Sequence, residues 1–259
     1  MKVVVLAGGF GTRISEESHL RPKPMIEIGG MPILWHIMKT YSAYGFNEFI
    51  ICAGYKQEYI KEWFSNYFFH TSDVTFDFTK GGAVTVHSQH SEPWKVTVVD
   101  TGLHTMTGGR VKRIRNYIEN STFMLTYGDA VCNINIKDLL AYHRTNCGLV
   151  TMSAYNYEQR FGVLDIDEKN KIREFREKAK GDSGLINIGY MVCEPDFIDY
   201  IEGDASVLEK QPLETVAREG KLVAYKHEGF WQCMDTLREK EKLESLWDSG
   251  KAPWKIWEA

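Results

Sequence analysis

A run of β-branched residues near the start of the chain, followed at once by a glycine-rich loop, most constrains what this sequence can fold into. Lys2 to Leu6 (KVVVL) contains three consecutive valines, and such a run is typical of a strand buried on both faces of a parallel sheet. The loop after it, Gly8 to Gly11 (GGFG), has three glycines in four residues. A buried strand that leads into a flexible loop predicts an α/β fold in which helices cover both faces of the sheet.

The next part of the chain alternates between helix and strand patterns. Pro32 is suited to the first position of a helix, and Gly45 is suited to close that helix. Glu48 to Ala53 predicts a second buried strand, and Tyr55 to Phe69 predicts a second helix. A strand, a helix and a strand at this spacing indicate parallel pairing through a crossover helix.

Further strands and helices and two hairpins are predicted in the rest of the chain. The hairpins pair Val74 to Phe78 with Ala83 to His87, and Val163 to Asp167 with Lys171 to Arg176. The remaining strands are predicted at Lys95 to Asp100, Phe123 to Tyr127, Leu149 to Ala154, Leu185 to Cys193 and Leu222 to Lys226. The remaining helices are predicted at Arg110 to Ile118, Lys137 to Thr145, Leu213 to Glu219 and Thr236 to Trp247. Residues 1–259 are therefore predicted to form a single Rossmann-like α/β domain, with a mixed, mostly parallel sheet flanked by helices and a hairpin-rich C-terminal half.

Composition and charge exclude several classes of protein. The 259 residues include 31 basic and 35 acidic side chains, and this net charge of −4 gives no electrostatic reason to bind nucleic acid or an anionic membrane. No apolar run approaches the ~18 residues that a membrane span needs, and the early run is too short for a secretion signal. The five cysteines are scattered, with no C-x-x-C pair, so neither a zinc site nor a redox pair is indicated. We therefore expect a cytoplasmic protein with reduced thiols and no nucleic-acid or membrane partner.

The loop after the first strand has the chemistry of a phosphate-binding site. Its glycines let backbone N–H groups approach phosphate oxygens, because no Cβ stands in the way. The hydroxyl of Thr12 adds a donor, and Arg13 and Lys23 add positive charge that favours the binding of phosphate. By the family resemblance given below, the residues of this segment that are expected to bind a nucleotide are Leu6, Ala7, Gly8, Gly9, Phe10, Gly11, Thr12, Arg13 and Lys23.

Three other interpretations of this loop are weaker. No Gly-Lys-Ser/Thr follows it, so it is not a Walker loop. A dinucleotide fingerprint needs Gly or Ala where Ile14 stands, and Pro22 and Pro24 would interrupt the helix that such a fold starts there. This weakens the alternative of an NAD-dependent oxidoreductase. An ordinary strand-to-loop turn needs fewer glycines than this segment has.

The pattern L-x-G-G-x-G-T-R, followed by K-P-M, resembles the signature of the sugar-1-phosphate nucleotidyltransferases. The resemblance covers essentially the whole chain, because later segments also match; they are Gly128-Asp129, Glu177-Lys178, Asn187-Ile188-Gly189 and Trp231 to Thr236. Within the family, Asp100 to Arg110 and Trp231 to Thr236 are similar to the members that transfer a cytidylyl group to glucose 1-phosphate.

The resemblance implies a reaction, a fold and an assembly. The implied reaction is the Mg²⁺-dependent transfer of a cytidylyl group from CTP to α-D-glucose 1-phosphate, which gives CDP-glucose and pyrophosphate. CDP-glucose in turn feeds the dideoxysugars of lipopolysaccharide O-antigens. The implied fold is of the nucleotide-diphospho-sugar transferase type, with a nucleotide-binding part at about 1–130 and a sugar-binding and oligomerisation part at about 131–259. A homo-oligomer, trimeric or hexameric, is expected on the same ground.

The resemblance also assigns roles to particular residues. Arg13 and Lys23 are expected to be catalytic, because the difficulty of this reaction is to stabilise charge on the phosphates and on leaving pyrophosphate. Asp129 and Asp235 are expected to hold Mg²⁺, which favours one or two carboxylates together with substrate phosphates. The other residues expected to bind the nucleotide are His104, Thr107, Gly109, Arg110 and Gly128, and those expected to bind the sugar phosphate are Glu177, Lys178 and Asn187.

Departures from the family pattern keep two alternatives open. Ala130 follows Asp129 where many relatives carry Asp or Asn, and Ala179 stands where Pro often follows the Glu-Lys pair. One alternative keeps the fold but transfers another nucleotide or uses another sugar, as a thymidylyl- or uridylyltransferase does. The other is a nucleotide-sugar sensor that binds ligand without turnover.

Three further features carry predictions about structure. His36 and His143 lie within predicted helices and are expected to be structural. The polar segment Ile14 to Leu20 has no clear periodicity, which predicts a mobile lid over the nucleotide. Three tryptophans are expected to belong to a tail that packs on the body or on a neighbouring subunit, namely Trp247, Trp254 and Trp257.

Overall fold

The computed structural model describes residues 1–88, 90–157, 163–166, 172–176 and 184–257. In these residues the strands are β1 (Lys2–Ala7), β2 (Glu27–Ile28), β3 (Met31–Pro32), β4 (Glu48–Ala53), β5 (Val74–Asp77), β6 (Ala83–Val86), β7 (Lys95–Asp100), β8 (Phe123–Tyr127), β9 (Ala130–Cys132), β10 (Val150–Tyr157), β11 (Val163–Ile166), β12 (Ile172–Arg176), β13 (Gly184–Cys193), β14 (Leu222–His227) and β15 (Trp231–Cys233). The helices are α1 (Ser15–Ser18), α2 (Ile33–Ser42), α3 (Gln57–His70), α4 (Thr107–Arg113), α5 (Arg115–Ile118), α6 (Ile136–Asn146), α7 (Gln211–Arg218) and α8 (Leu237–Asp248). None of the helices in this described part of the chain has both the length and the apolar composition that crossing a bilayer requires.

A seven-stranded sheet in the order β14-β10-β13-β8-β1-β4-β7 forms the centre of the molecule. All its strands run in one direction except β13, which pairs antiparallel with both β8 and β10. The prediction of a mixed, mostly parallel sheet is therefore confirmed. From β1 the chain builds the sheet towards β7 on one side and then returns to place β8 on the other side. Such a reversal opens a crevice at the carboxyl ends of the two central strands, where open α/β sheets bind their ligands.

Helices cover both faces of the sheet, as the valine run of β1 predicts. Val3 and Val5 face one buried cluster and Val4 faces another. The first cluster includes apolar residues of α2, α6 and α8. The second includes apolar residues of the helical segment after β7 and, separately, apolar residues of α7. All three valines are fully buried, so β1 is held in place from both sides and fixes the position of the loop that follows it.

The helix predicted from Arg110 to Ile118 begins earlier and is divided. It starts at Thr107 as α4, and α5 follows after Ile114. Positions 108 and 109 of α4 have no room for a side chain, because the segment 203–206 packs directly against them. A Cβ on Gly109 would lie 2.6 Å from Cα of Asp204, a distance that no real side chain tolerates. The two glycines therefore allow the segment 203–206 to pack closely against α4. No local sequence pattern predicts this long-range contact.

Both predicted hairpins are confirmed, since β5 pairs antiparallel with β6 and β11 pairs antiparallel with β12. The C-terminal tail also packs as expected. Trp254 is fully buried, and its ring stacks on Phe230 and Trp247. Its indole Nε1 lies 3.3 Å from Nδ1 of His36, while Nε2 of His36 lies 2.8 Å from the carbonyl oxygen of Ile28. His36 thus donates through Nε2 and accepts through Nδ1, which confirms its structural role.

Acid is expected to weaken the fold through His36. Burial lowers the pKa of His36 to about 4, below the value of about 6.5 in an unfolded chain. Between these values the unfolded chain binds a proton that the folded protein does not, so stability falls as pH falls through this window. The loss reaches about 3 kcal/mol by pH 4. Urea unfolding at pH 7 and pH 4.5 measures how much the free energy of unfolding falls with acid. This fall should be smaller in His36→Gln than in the native chain, whereas it should be unchanged in His90→Gln, where the histidine is exposed. An equal fall in all three proteins would contradict the assignment.

Candidate active site

A cavity of about 580 Å³ opens at the carboxyl ends of β1 and β8, at the predicted crevice. Its lining includes almost every residue that the sequence predicts to bind a nucleotide, namely Leu6, Ala7, Gly8, Gly9, Phe10, Gly11, Thr12, Arg13, Lys23, His104, Thr107, Arg110 and Gly128. It also includes Asp129 and Asp235. Gly109 is not in the lining, because it packs under Asp204. The contact of Gly109 with the nucleotide stays a prediction.

The pairing of β9 with β15 brings the two aspartates together. Ala130 is the register partner of Cys233, and the backbone N–H of Met234 donates to the carbonyl oxygen of Asp129 at 2.9 Å. The position of Asp235 is fixed from the other side by α8, whose Glu239 accepts from the N–H of Asp235 at 2.7 Å. Two residues that are far apart in sequence therefore share one end of the cavity.

Lys23 lies between these two carboxylates. Its Nζ is 2.7 Å from Oδ2 of Asp129 and also pairs with Oδ1 of Asp235. Arg13 approaches the second oxygen of Asp235, with Nη1 at 2.5 Å from Oδ2. Lys23 is only 8% exposed; burial acts to lower its pKa, but the two carboxylates outweigh burial and hold the pKa above its usual value. The ammonium is therefore charged at neutral pH and bridges the pair.

The same arrangement shows what the two carboxylates can hold. The ammonium group of Lys23 lies within ion-pairing distance of both carboxylates, so it occupies the place of a cation shared by Asp129 and Asp235. Among the described residues, no three His, Cys, Asp or Glu side chains gather into a metal cage. A pair of carboxylates suits Mg²⁺, which takes its other ligands from phosphates and water.

The three positions at which glycine stands in the loop differ in their surroundings and in their backbone conformation. A Cβ on Gly8 would lie 2.1 Å from Nη1 of Arg110, whereas a Cβ on Gly9 would meet nothing within 4 Å. Gly11 has a φ of 66°, a left-handed conformation that favours glycine. Gly9 alone thus matches the expectation of an open backbone facing the cavity, while Gly8 makes room for a side chain of the protein itself.

Arg110 holds the base of the cavity together. Its guanidinium is buried and donates to the carbonyl oxygens of Gly8 at 2.9 Å and Gly102 at 2.8 Å, and to the hydroxyl of Thr101 at 2.7 Å. These bonds join the loop after β1 to the loop after β7. Its predicted hydrogen bond to the nucleotide stays a prediction, but most of its donors serve these loops.

Gly8→Ala and Gly9→Ala are expected to affect different properties of the protein. Alanine at position 8 displaces the guanidinium of Arg110 and should lower the free energy of unfolding by about 2 kcal/mol. Alanine at position 9 projects into open space, so it should leave stability within about 0.5 kcal/mol while weakening nucleotide binding. Urea unfolding and nucleotide titration of both variants check this. Equal stability of the two variants would contradict the role of Gly8.

The exposed ring of Phe10, in the loop after β1, has its centroid 5.3 Å from the ring of Tyr55 and 6.0 Å from the ring of His104. The predicted contact of His104 with the nucleotide is compatible with this exposed position. Thr107 is engaged within the protein: its hydroxyl donates to Glu209 at 2.8 Å and accepts from the N–H of Leu208 at 2.9 Å.

The segment expected to form a lid contains α1 and is tied to the body. Ile14 is fully buried, and Glu17 pairs with Lys240 of α8. Movement of this segment over a nucleotide stays a prediction.

Of the residues expected to bind the sugar phosphate, Glu177 and Lys178 lie outside the described residues. Asn187 lies on β13, and its Oδ1 accepts from the N–H of Gly189 at 2.8 Å. A Cβ on Gly189 would lie 2.3 Å from the ring of Tyr127, so the absence of a side chain at position 189 leaves room for that ring at the end of β8. The predicted role of Asn187 is not tested by these contacts.

Sequence reasoning missed Tyr127 and Glu209, which both line the cavity. The hydroxyl of Tyr127 donates to Oε1 of Glu209. Tyr127 stands directly before the Gly-Asp pair, so its position could have been noticed. Glu209 lies in a segment without a motif, and only the fold brings it to the cavity.

Comparison with known proteins gives a consistent result. A family model described as nucleotidyl transferase matches residues 2–232. The chain is 52% identical over 259 residues to a glucose-1-phosphate cytidylyltransferase of Salmonella typhi, with all of both chains covered. It is 42% identical over 258 residues to a probable glucose-1-phosphate cytidylyltransferase of Bacillus subtilis, with 99% of this chain and 100% of the relative covered. The crystal structure of HddC from Yersinia pseudotuberculosis has a similar fold, with a TM-score of 0.69, 24% identity and coverage of 95% of this chain and 99% of the other.

Proposed function

Because this chain belongs to the nucleotidyl transferase family, we propose that it catalyses the transfer of a cytidylyl group from CTP to α-D-glucose 1-phosphate, which forms CDP-glucose and pyrophosphate. The observation that carries the proposal is the identity of 52% over the full length to a relative of that name. The cavity supports it with a glycine-rich loop, two cations and two carboxylates at one edge of the sheet.

The chemistry explains why such residues are needed. A phosphate oxygen of glucose 1-phosphate attacks the α-phosphorus of CTP, and the bond to the bridging oxygen of pyrophosphate breaks. The attacking oxygen is already anionic, so no general base is required. The difficulty is to bring two polyanions together and to stabilise the charge that collects on pyrophosphate. Arg13 and Lys23 supply positive charge for this, and the open backbone at Gly9 supplies N–H donors to phosphate oxygens.

We further propose that Asp129 and Asp235 hold Mg²⁺. The ammonium group of Lys23 supports this, because it forms ion pairs with both carboxylates at once. When bound, the ion would neutralise phosphate charge and withdraw electron density from the reacting phosphorus. Lys23 would then be free to leave the carboxylates and contact a phosphate of the substrates.

Two separate groups of residues are proposed to recognise the two substrates. His104, Thr107 and Arg110 are proposed to recognise the nucleotide, and Glu177, Lys178 and Asn187 are proposed to recognise the sugar phosphate. We also propose a homo-oligomeric, cytoplasmic enzyme whose CDP-glucose supplies dideoxysugars of lipopolysaccharide O-antigens. For the oligomer, light scattering of the purified protein is the direct measurement.

The test of the function is pyrophosphate release with glucose 1-phosphate and Mg²⁺, with CTP, UTP, dTTP, ATP and GTP assayed in parallel. We expect a strong preference for CTP. Activity with a different nucleotide would keep the mechanism and contradict the choice of base. Ligand binding with no turnover on any of the five would instead favour a nucleotide-sugar sensor.

A further inference from the structure

The carboxylate of Glu209 lines the cavity but has no part in the mechanism above. It lies between the fully buried Leu208 and α7, and its side chain is exposed. The cavity must hold two polyanionic substrates, so a carboxylate there opposes binding unless it meets a group that donates a hydrogen bond. Its presence therefore needs an explanation.

Two hydroxyl groups of the cavity wall fix the orientation of this carboxylate. The phenol of Tyr127 donates to Oε1, and the hydroxyl of Thr107 donates to Oε2 at 2.8 Å. The oxygen of Thr107 also accepts from the N–H of Leu208 at 2.9 Å, so its proton is directed towards Glu209. Burial, together with the nearby Glu209, raises the pKa of Tyr127 far above its usual value, so the phenol stays protonated and remains a donor.

No lysine, arginine or histidine of the described residues forms an ion pair with Glu209. Lys23 and Arg13, the cations of the cavity, pair with Asp129 and Asp235 instead. A carboxylate offers about four lone-pair positions, and two hydroxyl bonds leave acceptor capacity on both oxygens. A neutral donor from a ligand is the partner that fits, because phosphates would be repelled.

We propose that Glu209 accepts a hydrogen bond from a sugar hydroxyl of a bound substrate and thereby selects substrates that carry this hydroxyl. The proposal rests on the proposed function, whose two substrates both contain such hydroxyls, on the ribose of CTP and on the hexose of glucose 1-phosphate. Thr107 belongs to the segment expected to meet the nucleotide, so we expect the 2′- or 3′-hydroxyl of ribose.

The experiment compares the native chain with Glu209→Ala and Glu209→Gln on two series of substrates. The first series is CTP, 2′-deoxy-CTP and 3′-deoxy-CTP with glucose 1-phosphate, and the second is CTP with the 2-, 3-, 4- and 6-deoxy forms of glucose 1-phosphate. The native chain should prefer the complete substrate over one deoxy analogue by about 10-fold to 100-fold in kcat/KM, because hydrogen bonds to charged groups are strong. Glu209→Ala should reduce that ratio to near one, and Glu209→Gln should give an intermediate ratio because its amide oxygen still accepts. The series in which the ratio falls identifies the source of the hydroxyl.

Glu214→Gln is the matched control, because it removes the same charge from an exposed position on α7 outside the cavity. A role for Glu209 that is only structural would lower kcat/KM for every substrate alike and leave the ratios unchanged, which would overturn the proposal. Absence of any discrimination by the native chain in both series would do the same. Calorimetric titration of each substrate and its deoxy analogues gives the same ratio from Kd, so a chain that binds without turnover would contradict the proposed function and still test Glu209.

Discussion

Replacing Lys23 with methionine is expected to lower kcat by more than about 100-fold, because a charge contact made in the transition state is lost. Methionine keeps most of the volume of the buried stem, so the fold should be retained. The Lys23 ammonium is buried and lies 2.7 Å from Asp129, next to the loop where the phosphates are expected. Steady-state kinetics with CTP and glucose 1-phosphate measure the effect.

Lys39→Met is the matched control for this experiment. Lys39 is also an ion-paired and mostly buried lysine, with its Nζ 3.1 Å from Glu92, but it lies outside the cavity. Its loss should leave kcat close to that of the native chain. A near-normal kcat for Lys23→Met would exclude a catalytic role for this lysine, since the control shows what loss of an ordinary ion pair does.

Lys23→Met should also bind a divalent cation more tightly in the absence of nucleotide. The ammonium competes for the oxygens of Asp129 and Asp235, and removal of a competing cation strengthens binding of another at the same place. Titration with Mn²⁺ followed by electron paramagnetic resonance gives this affinity without any turnover.

Asp129→Asn and Asp235→Asn are the second pair of variants with a large expected effect. Each removes one charged ligand from the shared cation site, so the Mg²⁺ concentration for half-maximal activity should rise by at least about 10-fold. The affinity for Mn²⁺ should fall in parallel, which separates loss of metal from loss of the ion pairs with Lys23 and Arg13. An unchanged metal titration would mean that these aspartates only position the two cations.

Asp100→Asn provides the control for both aspartates. Asp100 ends β7 at the same edge of the sheet, but it does not line the cavity. Its Oδ1 accepts from the N–H of Gly102 at 2.9 Å, and asparagine can retain this bond. The requirement for Mg²⁺ should therefore be unchanged, although the substitution removes the same charge from a neighbouring strand end.

The sequence predicted those parts of the site that depend on local pattern. The valine run of β1 and the glycines after it are adjacent in the chain, and the structure confirms the buried strand and the cavity beside its end. The roles of Asp129 and Asp235 came from resemblance, because neither residue has a distinctive neighbourhood of its own. Only the pairing of β9 with β15 brings them to one place.

Features that depend on contacts between distant segments could not be predicted. Position 8 has no room for a side chain because the guanidinium of Arg110, a residue 102 positions away in the sequence, lies against it. Gly108 and Gly109 lie against the backbone of residues 206 and 204, whereas the sequence predicted only that Gly109 binds the nucleotide. Glu209 reaches the cavity for the same reason, since the segment that covers α4 carries it there. A single sequence contains no local pattern that predicts such contacts between distant segments.

The bridge from Asp129 through Lys23 to Asp235, with Arg13 at its end, contains two negative and two positive charges. Its formal sum is zero, so cations of the chain itself compensate the carboxylates of both Asp129 and Asp235. Small zinc domains differ in this respect, because their folding free energy comes from the bound metal and chelators unfold them. Folding and metal loading are therefore expected to be separate events here: the chain's own cations pair with both carboxylates, and a chelating agent should remove the activity that depends on the proposed Mg²⁺ without unfolding the chain.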